Sequence, residues 1–371
     1  MTGLAFSKIT LSHFRSYKFA QLEHDARPIA FFGPNGSGKT NLLEAVSMLS
    51  PGRGIRRAGA DEIARAPEQL GWKVTADLDS LGFRHELETW TNAGSSRQVQ
   101  VDGKAASQLV LGKLLRMVWL VPSMDRIWLD GAEGRRRFLD RMTLSFTPSH
   151  GEISLAYDKA MRERNRLLKD RATDDGWYRA LERQMAETGC AIIKNRRQAL
   201  ARLAEAQADV ETAFPIADLT LMDRCDGGLP DTAADLEAAL AQNRGRDLAA
   251  GRSLIGPHRA DLAAIYAAKE IEARLCSTGE QKALLISLIL ANARAIASDF
   301  GAAPIVLLDE VAAHLDVDRR AALYDEIYAL KAQAWMTGTD ASLFDALGDR
   351  ARLIEVRETA NGSELTEGGR L

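Results

Sequence analysis

The chain has 371 residues, 46% of them hydrophobic and 27% charged, too long for one small core and consistent with two globular parts. Its formal net charge of −3 and pI near 6.1 exclude a uniformly basic nucleic-acid binder, so any DNA contact must come from a local basic surface. The three cysteines, Cys190, Cys225 and Cys276, form no Cys-x-x-Cys pair, which argues against a zinc site or a disulfide framework and for reduced thiols.

Residues 4–32 read as short strands, the last a compact apolar run from Pro28 to Phe32. Gly33-Pro34-Asn35-Gly36-Ser37-Gly38-Lys39-Thr40 follows and fits G-x-x-x-x-G-K-[ST] in full. In such a loop the glycines turn backbone N–H groups inward around phosphate oxygens. Lys39 reaches the terminal phosphates and Thr40 ligates magnesium, while the helix from Asn41 to Leu49 adds its positive N-terminal end. Residues 33–41 are therefore the candidate ATP-binding loop, with Mg2+ as the accompanying ion. Alternation from 71 to 104, with Asn92-Ala93-Gly94 and Asp102-Gly103 as turns, predicts an antiparallel β region.

Helical spacing dominates from about 124 to 210, in Arg135–Leu144, Ile153–Lys169, Trp177–Ile193 and Arg196–Phe214. Segment 131–210 holds 16 Lys+Arg against 12 Asp+Glu, so this segment is the basic part of an acidic protein. Two apolar stretches and a Gly256-Pro257-His258 corner fill 215–262, and a helix is predicted from Gly279 to Ser298. No apolar stretch is expected to approach the roughly 18 residues that span a bilayer. The longest, Ala283 to Ala293, is interrupted by Ser287 and Asn292. No basic segment followed by an apolar run opens the chain, so a cytoplasmic protein without a membrane partner is expected.

Two further motifs carry chemistry. Ile305-Val306-Leu307-Leu308-Asp309-Glu310 is a buried strand delivering two carboxylates at its C-terminal end, where α/β sheets keep their ligands. Asp309 is the candidate magnesium ligand and Glu310 the residue that orients or deprotonates the attacking water, which makes Glu310 and Lys39 the candidate catalytic residues. Ser277-Thr278-Gly279-Glu280-Gln281 opens the helix before that strand. Ser277 and Glu280 have the spacing of a capping box, and the same geometry offers an anion site of hydroxyl, glycine N–H and helix terminus. Asp316 reads as the N-cap of a helix over Arg319–Leu330, and a third buried strand follows at Ala334–Met336.

Phosphate loop, S-x-G-[EQ]-Q and Asp-Glu strand, in that order, resemble the ABC ATPase signature. The resemblance implies that Ser277, Gly279, Glu280 and Gln281 of one subunit cover the ATP of another, so that ATP drives homodimerisation. It also implies that Asp316 belongs to a D-loop crossing the dimer interface. Thr337 lies where ABC proteins carry the switch histidine, and the sequence alone does not assign it the sensing of the γ-phosphate.

Finer strings resemble the RecF family of bacterial DNA replication and repair ATPases, of the ABC/SMC-like superfamily. They are Leu11-Ser12-His13-Phe14-Arg15-Ser16-Tyr17, Arg135-Arg136-Arg137-Phe138-Leu139-Asp140, Arg164-Asn165-Arg166-Leu167-Leu168-Lys169 and Gly256-Pro257-His258-Arg259-Ala260-Asp261. Gly279-Glu280-Gln281-Lys282 and Asp309-Glu310 depart from the G-Q-Q-R and Asp-Asp that many members carry. The implied fold is an α/β ABC-type P-loop ATPase head, a mixed sheet with an antiparallel β region, carrying an inserted helical domain. The separation of 238 residues from Lys39 to Ser277 leaves room for that insertion. The head is expected over 1–115 and 245–371 and the helical arm over 116–244.

The implied function is an ATP-dependent double-stranded DNA-binding ATPase, acting with RecO and RecR in recombinational repair and replication restart at gaps. Candidate phosphate contacts are Arg135, Arg136, Arg137, Arg162, Arg164, Arg166, Lys194, Arg196 and Arg197; Phe14 and Arg15 are candidates for the adenine. The alternatives are the ATPase subunit of a membrane transporter, an SMC-like ATPase of another repair subfamily, or a module that binds ATP without hydrolysing it.

Overall fold

The computed structural model describes residues 3–66, 68–208, 210–223, 228 and 230–367; Cys225 lies outside the described residues. The chain divides into two compact units: 1–125, 209–215 and 277–371 form the head, and 126–208 and 216–276 form the arm.

Two sheets build the head. In the first, β1 (Leu4–Phe14) and β2 (Tyr17–Glu23) join β4 (Gly71–Ser80), β5 (Phe83–Asn92), β6 (Gln98–Val101) and β7 (Lys104–Ala105) in the order β2-β1-β4-β5-β6-β7, antiparallel throughout. The alternation in β4, where Val74, Ala76 and Leu78 are buried and their neighbours less so, is the two-residue period of a sheet with one wet face. In the second, β3 (Ile29–Phe32), β8 (Met117–Leu120), β12 (Ile305–Leu308), β13 (Ala334–Gly338), β14 (Arg352–Thr359) and β15 (Gly362–Glu367) run in the order β15-β14-β3-β13-β12-β8. All neighbours are parallel except β14 and β15. The unbroken apolar runs of β3 and β12 suit strands covered on both faces. Helices α1 (Lys39–Ser47), α2 (Ala60–Ile63), α3 (Gln108–Leu114), α9 (Thr278–Phe300) and α10 (Val317–Ala329) complete the head.

Helix α9 runs longer than the sequence pattern implies, and by length and composition alone it could cross a membrane. It is instead the core helix of the head, buried from Gln281 through Ala293.

The arm holds α4 (Ala132–Phe146), α5 (His150–Lys169), α6 (Asp175–Gln207), α7 (Ala233–Gln242) and α8 (Arg244–Ala250). It also holds a three-stranded antiparallel sheet of β9 (Ala217–Met222), β10 (Asp261–Tyr266) and β11 (Ile271–Glu272). That sheet moves the second boundary: β10 and β11 pair with β9, so the arm continues to 276 and not 244. The two helices expected over 177–214 are one, because no glycine or proline interrupts Ile193-Lys194-Asn195-Arg196.

Candidate active site

Register brings the chemistry together. Val306 pairs with Ala334 and Leu308 with Met336, while Gly338 pairs with Phe32. The phosphate loop, Asp309-Glu310 and Thr337 therefore emerge side by side at the C-terminal ends of three adjacent parallel strands.

The loop is shaped by its glycines. Gly38 has φ +108°, and a β-carbon there would lie 2.2 Å from Ser363 Oγ and 2.7 Å from Ser16 Oγ. The close approach serves a relay of hydrogen bonds. Asn41 Nδ2 donates to Ser16 Oγ at 2.8 Å, the Ser16 and Ser363 hydroxyls lie 2.7 Å apart, and Ser363 Oγ lies 2.6 Å from the Ser37 carbonyl. A carbonyl only accepts, so the Ser363 proton points at Ser37 and Ser16 donates to Ser363. Tyr17 Oη donates to the Gly38 carbonyl at 3.1 Å. These groups hold the Ser37 and Gly38 carbonyls, and within the loop the Ser37 N–H donates to the Pro34 carbonyl at 3.2 Å.

Lys39 is 4% exposed. Its ammonium donates to the carbonyls of Gly33 and Pro34, 2.7 Å from each. Burial pulls its pKa below the ordinary lysine value, while Glu310 and Asp309 oppose that shift.

The acids are held as firmly. Thr40 Oγ1 and Thr337 Oγ1 both donate to Asp309 Oδ1, at 2.9 and 2.7 Å. The Glu310 N–H donates to Thr337 Oγ1 at 2.9 Å. Glu310 has φ +54°, a left-handed conformation that destabilises a non-glycine residue by about 1–2 kcal/mol. Thr337 is 1% exposed, and its hydroxyl bonds Asp309 Oδ1 and the Glu310 N–H.

The donor set fits magnesium. Thr40 and Asp309 offer hard oxygens beside the phosphate loop, and no three His, Cys, Asp or Glu cluster as a metal cage among the described residues. Mg2+ characteristically takes one or two protein oxygens and completes its shell with phosphates and water.

Ser277, Thr278 and Gly279 stand exposed at the start of α9. The capping box is present: Glu280 N–H donates to Ser277 Oγ and the Ser277 N–H donates to Glu280 Oε2 at 2.8 Å. Gln281 is buried behind them. Asp316 caps α10, Oδ1 accepting from the Arg319 N–H at 2.8 Å. The adenine candidates fare differently: Phe14 is core, packed edge-on against Trp72, and Arg15 is paired with Glu44.

The chain matches the family model of the RecF/RecN/SMC N terminal domain over residues 5–363. It is 46% identical over 361 residues to the DNA replication and repair protein RecF of Allorhizobium ampelinum, covering 94% of this chain and 96% of that one. To the protein of the same name from Brucella suis it is 48% identical over 364 residues, covering 95% and 94%. The chain belongs to the RecF family. Its fold agrees with a solved structure of the recombination mediator protein RecF-ATP in the RecFOR pathway, at TM-score 0.85 and 23% identity over 99% of this chain and 98% of that one. An Smc head domain derived from Pyrococcus furiosus shares the fold more loosely, at TM-score 0.53 and 16% identity over 99% and 96%. RecF-family membership removes the transporter alternative.

Several arginines expected to contact DNA in this RecF-family arm are not surface groups. Arg135 forms a two-pronged pair with Asp261 at 2.7 and 3.0 Å and donates to the carbonyls of Ile127 and Asp130. Arg196 grips Asp140 at 2.7 and 2.9 Å and the Pro257 carbonyl at 2.7 Å. Arg164 has no exposed surface and binds Glu182 and Asp247. All three build the arm's interior. Arg136 donates to the Ala260 carbonyl and is half-buried. Arg137, Arg162, Arg166, Lys194 and Arg197 are exposed; Arg137 pairs with Glu133, Arg197 with Asp231 and Arg166 loosely with Asp170.

Sequence reasoning missed Ser16, Tyr17 and Ser363. Ser16 and Tyr17 enter only as part of a family string, and nothing local marks Ser363, which lies 326 residues from the carbonyl it holds.

Proposed function

We propose that this chain binds and hydrolyses ATP with magnesium as an ATP-dependent homodimer. It holds double-stranded DNA in recombinational repair and replication restart at gaps, in the cytoplasm, with partners equivalent to RecR and RecO. The observation that carries the reading is the exposure of the α9 start, an element other than those that carry the phosphate loop and the acids. Lys39, Thr40, Asp309 and Glu310 converge in one cluster, while Ser277, Thr278 and Gly279 stand exposed on another element, able to meet a second copy's phosphates. Lys39 and the loop N–H groups bind phosphate, Asp309 and Thr40 hold the ion, and Glu310 orients the attacking water. Magnesium, held by Thr40 and Asp309, would supply neutralisation of phosphate charge. The exposed arm cations Arg137, Arg166, Lys194 and Arg197 offer phosphate contacts without base specificity.

Sedimentation tests the dimer. With saturating Mg-ATP, Glu310→Gln is expected to stay dimeric and wild type to cycle back to monomer as turnover proceeds, with Lys39→Ala monomeric throughout. A monomeric Glu310→Gln under those conditions refutes the two-sided site. Filter binding of duplex DNA with and without ATP tests the DNA part, and affinity independent of ATP counts against it.

A further inference from the structure

We propose that Thr337 is a positioning residue for hydrolysis, whose single hydroxyl locks the metal-binding acid and the water-orienting acid into one geometry. This rests on the ATPase reading above.

Three observations converge. The Thr337 hydroxyl proton goes to Asp309 Oδ1 at 2.7 Å. The Thr337 oxygen accepts the Glu310 backbone N–H at 2.9 Å. Glu310 adopts φ +54°, a conformation that a non-glycine residue holds only when its surroundings fix it. The hydroxyl thus uses its donor on one acid and a lone pair on the peptide of the next, and among the described residues no other side chain is hydrogen-bonded to both. Register makes this possible: Leu308 faces Met336 across the β12–β13 pair, so Thr337 arrives level with Asp309.

The consequence is a division of labour. Thr40 also donates to Asp309 Oδ1 at 2.9 Å, yet Thr40 sits on the phosphate-loop helix and would be the hydroxyl to turn to magnesium in the loaded site. Thr337 sits on β13 and lies 1% exposed, so it keeps Asp309 and Glu310 in place while Thr40 changes partners. Without the hydroxyl, the Glu310 peptide loses its acceptor and the carboxylate swings away from the water it must orient. Positioning errors of about 1 Å can lower a rate by roughly a hundredfold.

The test compares Thr337→Val, nearly the same shape without the hydroxyl, with Thr337→Ser, which restores it. Measured are kcat, KM for Mg-ATP, and ATP and ADP affinities by equilibrium dialysis. Thr337→Val is expected to lower kcat about 10–100-fold. ATP affinity and the ATP-to-ADP ratio should be unchanged, and Thr337→Ser should recover most of the rate. Thr337→Cys replaces the valine variant if that one does not fold. Wild-type kcat in the hydroxyl-free variant overturns the proposal. So does a loss confined to ATP affinity or to ATP-against-ADP discrimination, which would make Thr337 a phosphate sensor, and so does a serine variant as slow as valine. Wild-type turnover no higher than that of Glu310→Gln would instead overturn the ATPase reading itself.

Discussion

Replacing Arg164 by methionine should destabilise the arm and leave its surface chemistry untouched. The guanidinium ties four segments. It donates to Glu182 Oε1 at 3.1 and 3.0 Å, Asp247 Oδ2 at 2.7 Å, Ser253 Oγ at 2.8 Å and the Leu240 carbonyl at 3.1 Å. Glu182 keeps a second cation, Arg244, 2.6 Å away. Asp247 does not: Arg164 is its one ion-pair partner among the described residues, leaving it Asn243 Nδ2 and the Leu254 N–H. Breaking a buried pair by removing one partner costs about 3–5 kcal/mol, because the other charge stays buried uncompensated. With a urea dependence of about 2 kcal/mol per molar, the arm's unfolding midpoint should fall by roughly 1.5–2.5 M, read by far-UV circular dichroism. Arg164→Met/Asp247→Asn should recover part of the loss, with a coupling of about 1 kcal/mol or more. If Arg164→Met stays within about 1 kcal/mol of wild type yet loses duplex affinity, the side chain reaches DNA and the burial argument fails.

Two further outcomes follow from the geometry. Ser363→Ala removes the donor to the Ser37 carbonyl and should weaken ATP binding about fivefold at unchanged kcat, from about 1 kcal/mol for one buried hydrogen bond; unaltered affinity by calorimetry would show that the relay does not hold the loop. Burial lowers the pKa of both His24 and His258 to about 4 from the ordinary 6.5. The unfolded chain therefore takes protons first as pH falls. The contribution of each neutral ring is whole above about pH 6.5 and is lost toward pH 4, with a ceiling of about 3 kcal/mol apiece. Urea midpoints at pH 7.5, 6 and 5 should fall in wild type and fall less in His24→Gln; parallel curves would discount His24.

What was legible in the sequence was local. The phosphate loop, the Asp309-Glu310 strand end and the Ser277–Glu280 capping box are each encoded within a few residues, where glycine stereochemistry, hydrophobic runs and cap spacing act directly. The arginine roles were not legible, because burial depends on partners far along the chain: Arg135 and Asp261 are 126 residues apart, and Arg164 and Asp247 are 83 apart. A charged helix reads as a wet surface until its partner strand or helix is known. The arm boundary was misplaced for the same reason, since β10 belongs with β9 by pairing and not by composition. Thr337 was visible as a residue at a strand end, but its role depends on two atoms brought level by sheet register.

The serine relay ties opposite ends of the gene's reading order together. The phosphate loop leaves the ribosome early, yet the hydroxyl that clamps it arrives 326 residues later, on β15. At the usual pace of synthesis, about 5–20 residues per second, the nascent loop waits on the order of half a minute unclamped. A chain halted before β15 would carry every recognisable nucleotide motif and still lack the finished cradle.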